Sequence, residues 1–136
     1  MTQFLFVYGT LMQGCNALRD WQEKAQAKFV GKGRISGRLY DLGEYPGAIT
    51  SVADSGEWVV GEIYELSLPA ESINFLDEYE GFIPADPSKS LYVRKVAPVN
   101  MDDGRVEDAW VYFYNRSTEG ARLIQCGDYL AVNRVR

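Results

Sequence analysis

The sequence predicts an α+β fold: a small curled or barrel-like, mostly antiparallel sheet with two or more short helices. Three observations point there. Several strand-like segments are separated by turn signals, only two segments are convincingly helical, and glycines recur inside strands, where they suit the corners of a barrel. Whether the sheet closes on itself is left open by the pattern.

Taken in order, Gln3–Tyr8 is a tight apolar run that reads as a strand buried on both faces, ending at Gly9-Thr10. A helix is expected over about Ala17–Ala27. Lys28–Leu42 mixes glycines with Val30, Ile35, Leu39 and Tyr40, the signature of a bent or bulged strand. Tyr45-Pro46-Gly47 is a turn signal, and Glu57–Leu66 alternates as a strand. Pro69 stands where a first helical residue belongs, and no breaker follows until Gly81, so a helix is expected over Pro69–Glu80. Leu91–Val99 and Val106–Tyr114 are strand-like, joined by Asn100-Met101-Asp102-Asp103-Gly104 as a hairpin. Ala121–Arg136 is weakly patterned and receives no assignment.

Length and composition narrow the classes of function. At 136 residues, 46% apolar and 24% charged, the chain is expected to form one domain over residues 1–136 with a real core. No apolar run approaches the ~20 residues of a spanning helix, and Met1–Phe6 lacks the basic start of a secretory leader. The cysteines, Cys15 and Cys126, suggest no disulfide framework, so a reduced, cytoplasmic setting is expected. A net charge of −5 argues against nucleic-acid and membrane partners, and Arg134 and Arg136 read as a solvated tail. There is no histidine, which removes Ser–His and Cys–His nucleophile pairs, histidine metal sites and imidazole acid–base chemistry. Proton transfer near neutral pH then falls to a carboxylate, a tyrosine, a lysine or a thiol.

Two places draw attention. On the helix Pro69–Glu80, a rotation of roughly 100° per residue groups Glu71, Asn74, Asp77 and Glu78 on one side and Ile73, Phe75, Leu76 and Tyr79 on the other. Glu80 falls between Leu76 and Ile73, on the apolar side. A carboxylate aimed at a core has a raised pKa and suits general acid–base work; alternatively, as the last helical residue, Glu80 turns outward as the helix frays. The second place is the end of the first strand. Free backbone N–H groups around Gly9 can cradle an anion or a developing oxyanion, or the segment is an ordinary glycine turn.

Together these segments resemble the gamma-glutamylcyclotransferase-like family. Val7-Tyr8-Gly9-Thr10-Leu11 resembles its signature loop, and Leu76-Asp77-Glu78-Tyr79-Glu80-Gly81 its second motif, in which the acid before the glycine is catalytic. Leu91-Tyr92-Val93-Arg94 and Ala109-Trp110-Val111-Tyr112 are similar to later family strands. Leu39-Tyr40, Tyr45-Pro46-Gly47 and Ile124 with Gly127-Asp128-Tyr129 match weaker positions, so the resemblance spans nearly the whole chain in order. It implies a cavity in which a gamma-glutamyl amine or amino acid cyclises to 5-oxoproline and releases its amine, with no cofactor and no metal. By carry-over, Tyr8, Gly9, Thr10 and Leu11 hold the glutamyl group, Glu80 is the acid/base, and Tyr92 and Tyr112 line the pocket. The implied partner is the small substrate alone; oligomeric state is left open.

Other signals were weighed. Gly31-Lys32-Gly33-Arg34-Ile35-Ser36-Gly37 is misspaced for dinucleotide binding, and Asp102-Asp103-Gly104 lacks the ligand spacing of a calcium loop. Asp77, Glu78 and Glu80 diverge too far around a helix to gather a cation. Cys15, near the signature loop, reads as a small packing residue or a reactive thiol. Phe82–Ser90, with Pro84 and Pro87, reads as a mobile rim that selects the leaving amine. The rival to an enzyme is a non-catalytic module of the same fold that binds a small carboxylated ligand; a scaffold for protein contacts is a third reading.

Overall fold

The computed structural model describes residues 2–12, 21–51 and 56–133. Its strands are β1 (Phe4–Val7), β2 (Ala27–Ser36), β3 (Arg38–Asp41), β4 (Pro46–Ile49), β5 (Trp58–Leu66), β6 (Tyr92–Met101), β7 (Val106–Tyr114) and β8 (Arg122–Leu123). The helices are α1 (Trp21–Lys24), α2 (Pro69–Glu80) and α3 (Tyr129–Asn133), with a single 3₁₀ turn at Pro87–Lys89. No helix among the described residues is long and apolar enough to cross a membrane.

The sheet does close. Strands run β1-β5-β2-β6-β7 around a barrel, and β7 returns to β1. That last contact is parallel, with Leu5 opposite Trp110, whereas the other barrel pairings are antiparallel. The apolar run at the start of the chain is therefore a central strand, and Leu5, Phe6 and Val7 are all buried. The bulge expected in the glycine-rich strand occurs between Phe29 and Gly31, where the register with β5 shifts. After Ser36 the chain leaves the barrel, and β3 joins β4 and β8 in a separate three-stranded sheet.

Helix α2 has the bounds that Pro69 and Gly81 set. Gly81 adopts φ +75°, and amides past the helix end bond back to it: Gly81 N–H to the Glu78 carbonyl at 3.3 Å and Phe82 N–H to the Asp77 carbonyl at 2.9 Å. Leu91 N–H then donates to the Gly81 carbonyl at 3.0 Å, tying the cap to the segment that enters β6. At the other end, the buried Ser72 hydroxyl donates to the Ala25 carbonyl, fastening the first turn of α2 beside α1.

Four sequence expectations change. Tyr45-Pro46-Gly47 is not the turn itself: the turn closes with Leu42 N–H on the Tyr45 carbonyl at 3.0 Å, and Pro46 and Gly47 begin β4. Proline is tolerated there because it opens a short strand. The unassigned C-terminal stretch contains β8 and α3, too short to leave a periodic pattern. The rim after α2 is pinned rather than loose: Asn115 Nδ2 donates to the Pro87 and Ser90 carbonyls, and Arg116 donates to the Ser90 and Lys89 carbonyls. The helix expected at Ala17–Ala27 is seen only as Trp21–Lys24, since residue 27 already belongs to β2. Residues 17–20, Cys15, Arg134 and Arg136 lie outside the described residues.

Replacing Gly81 with alanine forces a Cβ into a left-handed backbone. Gly81→Ala is expected to lower unfolding free energy by about 1–2 kcal/mol, read from the urea midpoint at unchanged slope.

Candidate active site

The parallel return of β7 to β1 decides what meets at one end of the barrel. Tyr8 and Gly9 follow β1, Tyr112 lies near the end of β7, and Tyr92 opens β6 opposite Tyr114. The C-terminal turn of α2 is delivered to the same end by its cap. Between them lies a cavity of about 320 Å³, at the lower end of the ~300–1,000 Å³ usual for small-molecule sites. Its walls are Phe6 to Leu11, the turn residues Glu44 to Pro46, Tyr79 and Glu80 of α2, and Leu91, Tyr92 and Tyr112.

The loop is held from several sides. Met12 N–H closes a turn on the Gly9 carbonyl at 3.0 Å, and Trp21 Nε1 donates to the Leu11 carbonyl at 2.9 Å. Among the described residues no backbone carbonyl accepts from the amides of Gly9, Thr10 or Leu11. Gly9 has no room for a side chain, because a Cβ there would lie 2.6 Å from Pro46 Cγ. Thr10 Oγ1 reaches the Tyr79 hydroxyl at 3.4 Å, so loop and helix meet across the site.

Glu80 is half-buried and borders the cavity. The helix does not fray outward at this residue, because the left-handed cap closes the last turn behind it. Removal from water raises its pKa from the ordinary 4.5 to about 7. The tyrosines behave differently. Burial pushes the phenols of Tyr8, Tyr92 and Tyr112 far above the usual tyrosine range. Each hydroxyl is turned into the protein: Tyr8 to the Tyr112 carbonyl at 2.6 Å, Tyr92 to the Pro46 carbonyl at 2.6 Å, and Tyr112 to Asp77 Oδ1 at 2.6 Å. The Tyr8 oxygen also accepts the Ala48 amide at 3.1 Å. These residues present shape and ring faces to the cavity and stay protonated near neutral pH.

All the residues singled out in the sequence, Tyr8, Gly9, Thr10, Leu11, Glu80, Tyr92 and Tyr112, border this one cavity. The sequence reading missed others. Tyr45 and Pro46, whose pattern signals a turn, form part of the wall, and Glu44 beside them borders the cavity without a sequence signal of its own. Asp77, assigned to the solvent face, is buried. Its carboxylate takes Nε and Nη2 of Arg94 at 2.8 and 3.2 Å as well as the Tyr112 hydroxyl. A lone arginine directly opposite a tyrosine in the β6–β7 hairpin was the available signal. Phe82–Ser90, expected at the rim, contributes no wall residue; the cavity meets the chain again at Leu91.

One end of a closed barrel thus places a half-buried carboxyl and a glycine loop on the walls of one small-molecule-sized cavity. Comparison with known proteins makes this more specific. Residues 5–131 match the family profile described as gamma-glutamyl cyclotransferase, AIG2-like. A Methanocaldococcus jannaschii protein, provisionally named a gamma-glutamylcyclotransferase, is 30% identical over 132 residues, covering 93% of this chain and 95% of its own. The crystal structure of an AIG2-like protein from Mus musculus superposes with a TM-score of 0.66 at 29% identity, over 86% of this chain and 80% of that one. YkqA from Bacillus subtilis gives a TM-score of 0.69 at 25% identity; all of this chain corresponds to 44% of that longer protein. The chain belongs to the gamma-glutamyl cyclotransferase, AIG2-like family.

Because burial raises the Glu80 pKa, the folded protein binds a proton there that the unfolded chain has already lost between about pH 4.5 and 7. Its contribution therefore weakens stability as pH rises through that window. Glu80→Gln is expected to match wild type near pH 4 and to exceed it by at most about 3 kcal/mol at pH 8, measured by urea unfolding at both pH values.

Proposed function

We propose that the protein converts a small gamma-glutamyl amine into 5-oxoproline and free amine, with Glu80 as the acid/base. The observation that carries this is that Glu80 and the Tyr8–Leu11 loop border the same cavity. The substrate's own α-amine attacks its γ-carbonyl, so the ring C–N bond forms and the bond to the departing amine breaks. Such ring closures have effective molarities of about 10⁵ M or more. Glu80, poised near neutrality, takes a proton from the α-ammonium and returns one to the leaving nitrogen. The loop Tyr8 to Leu11 holds the glutamyl group, and its free amides stabilise the oxyanion that develops on the γ-carbonyl.

The walls also bear on the leaving group. Among the described residues no lysine or arginine lines the cavity, while Glu44 stands exposed at its mouth. A leaving amino acid would bring a second carboxylate that meets no cation among the described wall residues. An amine without a carboxylate suits this mouth better, and one carrying a further positive charge best, since Glu44, Tyr45 and Tyr79 all line the cavity.

Incubation with a panel of gamma-glutamyl amines and gamma-glutamyl amino acids, followed by assay for 5-oxoproline, tests the reading. Wild type is expected to turn over amines with kcat/KM rising through about pH 7 as Glu80 ionises, and Glu80→Gln to lose about 10²–10⁴-fold. Background product from both proteins across the whole panel would leave the binding-module and protein-scaffold readings, which ligand-induced thermal stabilisation then separates.

Glu44→Lys reverses the charge at the mouth. It is expected to shift the kcat/KM ratio towards gamma-glutamyl amino acids by about 5–10-fold, the size of an exposed charge interaction of about 1 kcal/mol; an unchanged ratio removes Glu44 from specificity.

A further inference from the structure

We propose that Asp77 is a positioning residue for Glu80: it locks the last turn of α2 to the strands beside the cavity and so keeps the Glu80 carboxyl inside. This rests on the reading of Glu80 as the acid/base.

The two acids are three residues apart on one helix, so they are neighbours on successive turns, offset by about 60° around the axis. Asp77 is held at both of its ends. Its side chain takes a two-pronged bond from Arg94 on β6 and the hydroxyl of Tyr112 on β7, residues directly opposite each other in the hairpin. Its own carbonyl accepts Phe82 N–H, the bond that closes the helix cap. Glu80 lies between these two fixtures. A carboxyl on the terminal turn of an otherwise free helix end would gain hydration by swinging outward, and the paired fixtures prevent that rotation.

Arg94 is itself immobilised. Its guanidinium lies 4.4 Å from the Trp110 ring centre and 5.4 Å from that of Phe82. Nor does the lock end at β7. Tyr112, whose hydroxyl serves Asp77, accepts the Tyr8 hydroxyl on its carbonyl, and Tyr8 accepts the Ala48 amide. One chain of hydrogen bonds therefore runs from the helix that carries Glu80 to the residue that begins the glycine loop. A stability role alone explains this cluster poorly, since apolar side chains of similar volume commonly replace a buried ion pair without loss. Directional fixing is what a planar guanidinium–carboxylate pair adds.

The test combines Asp77→Asn with Arg94→Met. This removes the two-pronged pair without stranding a charge and leaves an oxygen for Tyr112. Two readouts apply: steady-state kinetics, and carbon-13 titration of the Glu80 carboxyl in the absence of substrate. Around Glu80 stand the phenols of Tyr8 from the loop after β1 and of Tyr92 and Tyr112 from β6 and β7, Tyr79 and Asp77 from its own helix, and Glu44 across the mouth. The expected result is a folded variant with kcat lower by about 100-fold, KM within about threefold, and a Glu80 midpoint moved from about 7 towards 4.5.

Wild-type kcat together with an unmoved midpoint would overturn the proposal while leaving the cyclotransferase reading in place. If wild type itself forms no 5-oxoproline, that reading falls, and the titration alone judges the positioning role. Should the double variant not fold, Asp77→Asn by itself keeps the Tyr112 contact and is scored by the same two readouts.

Discussion

The pairing on which the site depends is the parallel contact between β1 and β7, with Leu5 opposite Trp110. Parallel strands bring like ends together. The loop after β1 and the last residues of β7 therefore share one end of the barrel, where the antiparallel partner β6 begins. Had this edge closed antiparallel, Tyr8 and Tyr112 would stand at opposite ends and the Tyr8 hydroxyl could not reach the Tyr112 carbonyl. α2 then needs only a tight cap to place its final carboxyl beside the same loop.

Much of this was legible in the sequence because its local signals agree with the global arrangement. Pro69 and Gly81 bound α2 by backbone chemistry alone, and the uninterrupted apolar run at Phe4–Val7 marks a strand covered on both faces. Glycine inside β2 gave away the bulge. Asp77 was not legible, because a helical wheel sorts residues by polarity. A carboxylate that finds a guanidinium and a phenol is buried despite its polarity. Tyr45 and Pro46 were obscured for another reason: a turn signal gives chain direction and carries no information about which surface the turn will face. The family resemblance pointed to Glu80, while the fold supplied its surroundings.

The chemistry available to this cavity is narrow by construction. Three of its phenols have committed their hydroxyls to backbone or to Asp77, which leaves them as rigid walls. Keeping Glu80 half-buried works against folding at pH values where it ionises, a familiar trade between stability and function. The offset comes from elsewhere in the molecule: the core beneath α2, where Leu76 and Ile73 pack, and the tight closure of the barrel around Leu5, Ile63 and Val111.

The close fit of Gly9 against Pro46 has a further consequence. Pro46 also receives the Tyr92 hydroxyl on its carbonyl, so glycine loop, proline and tyrosine form one stiff collar around this end of the cavity. The adjoining tight turn carries Glu44 outside that collar. Sequence change in the turn can therefore reshape the mouth of the cavity while the collar stays as it is, a graft of a few residues onto an unaltered frame.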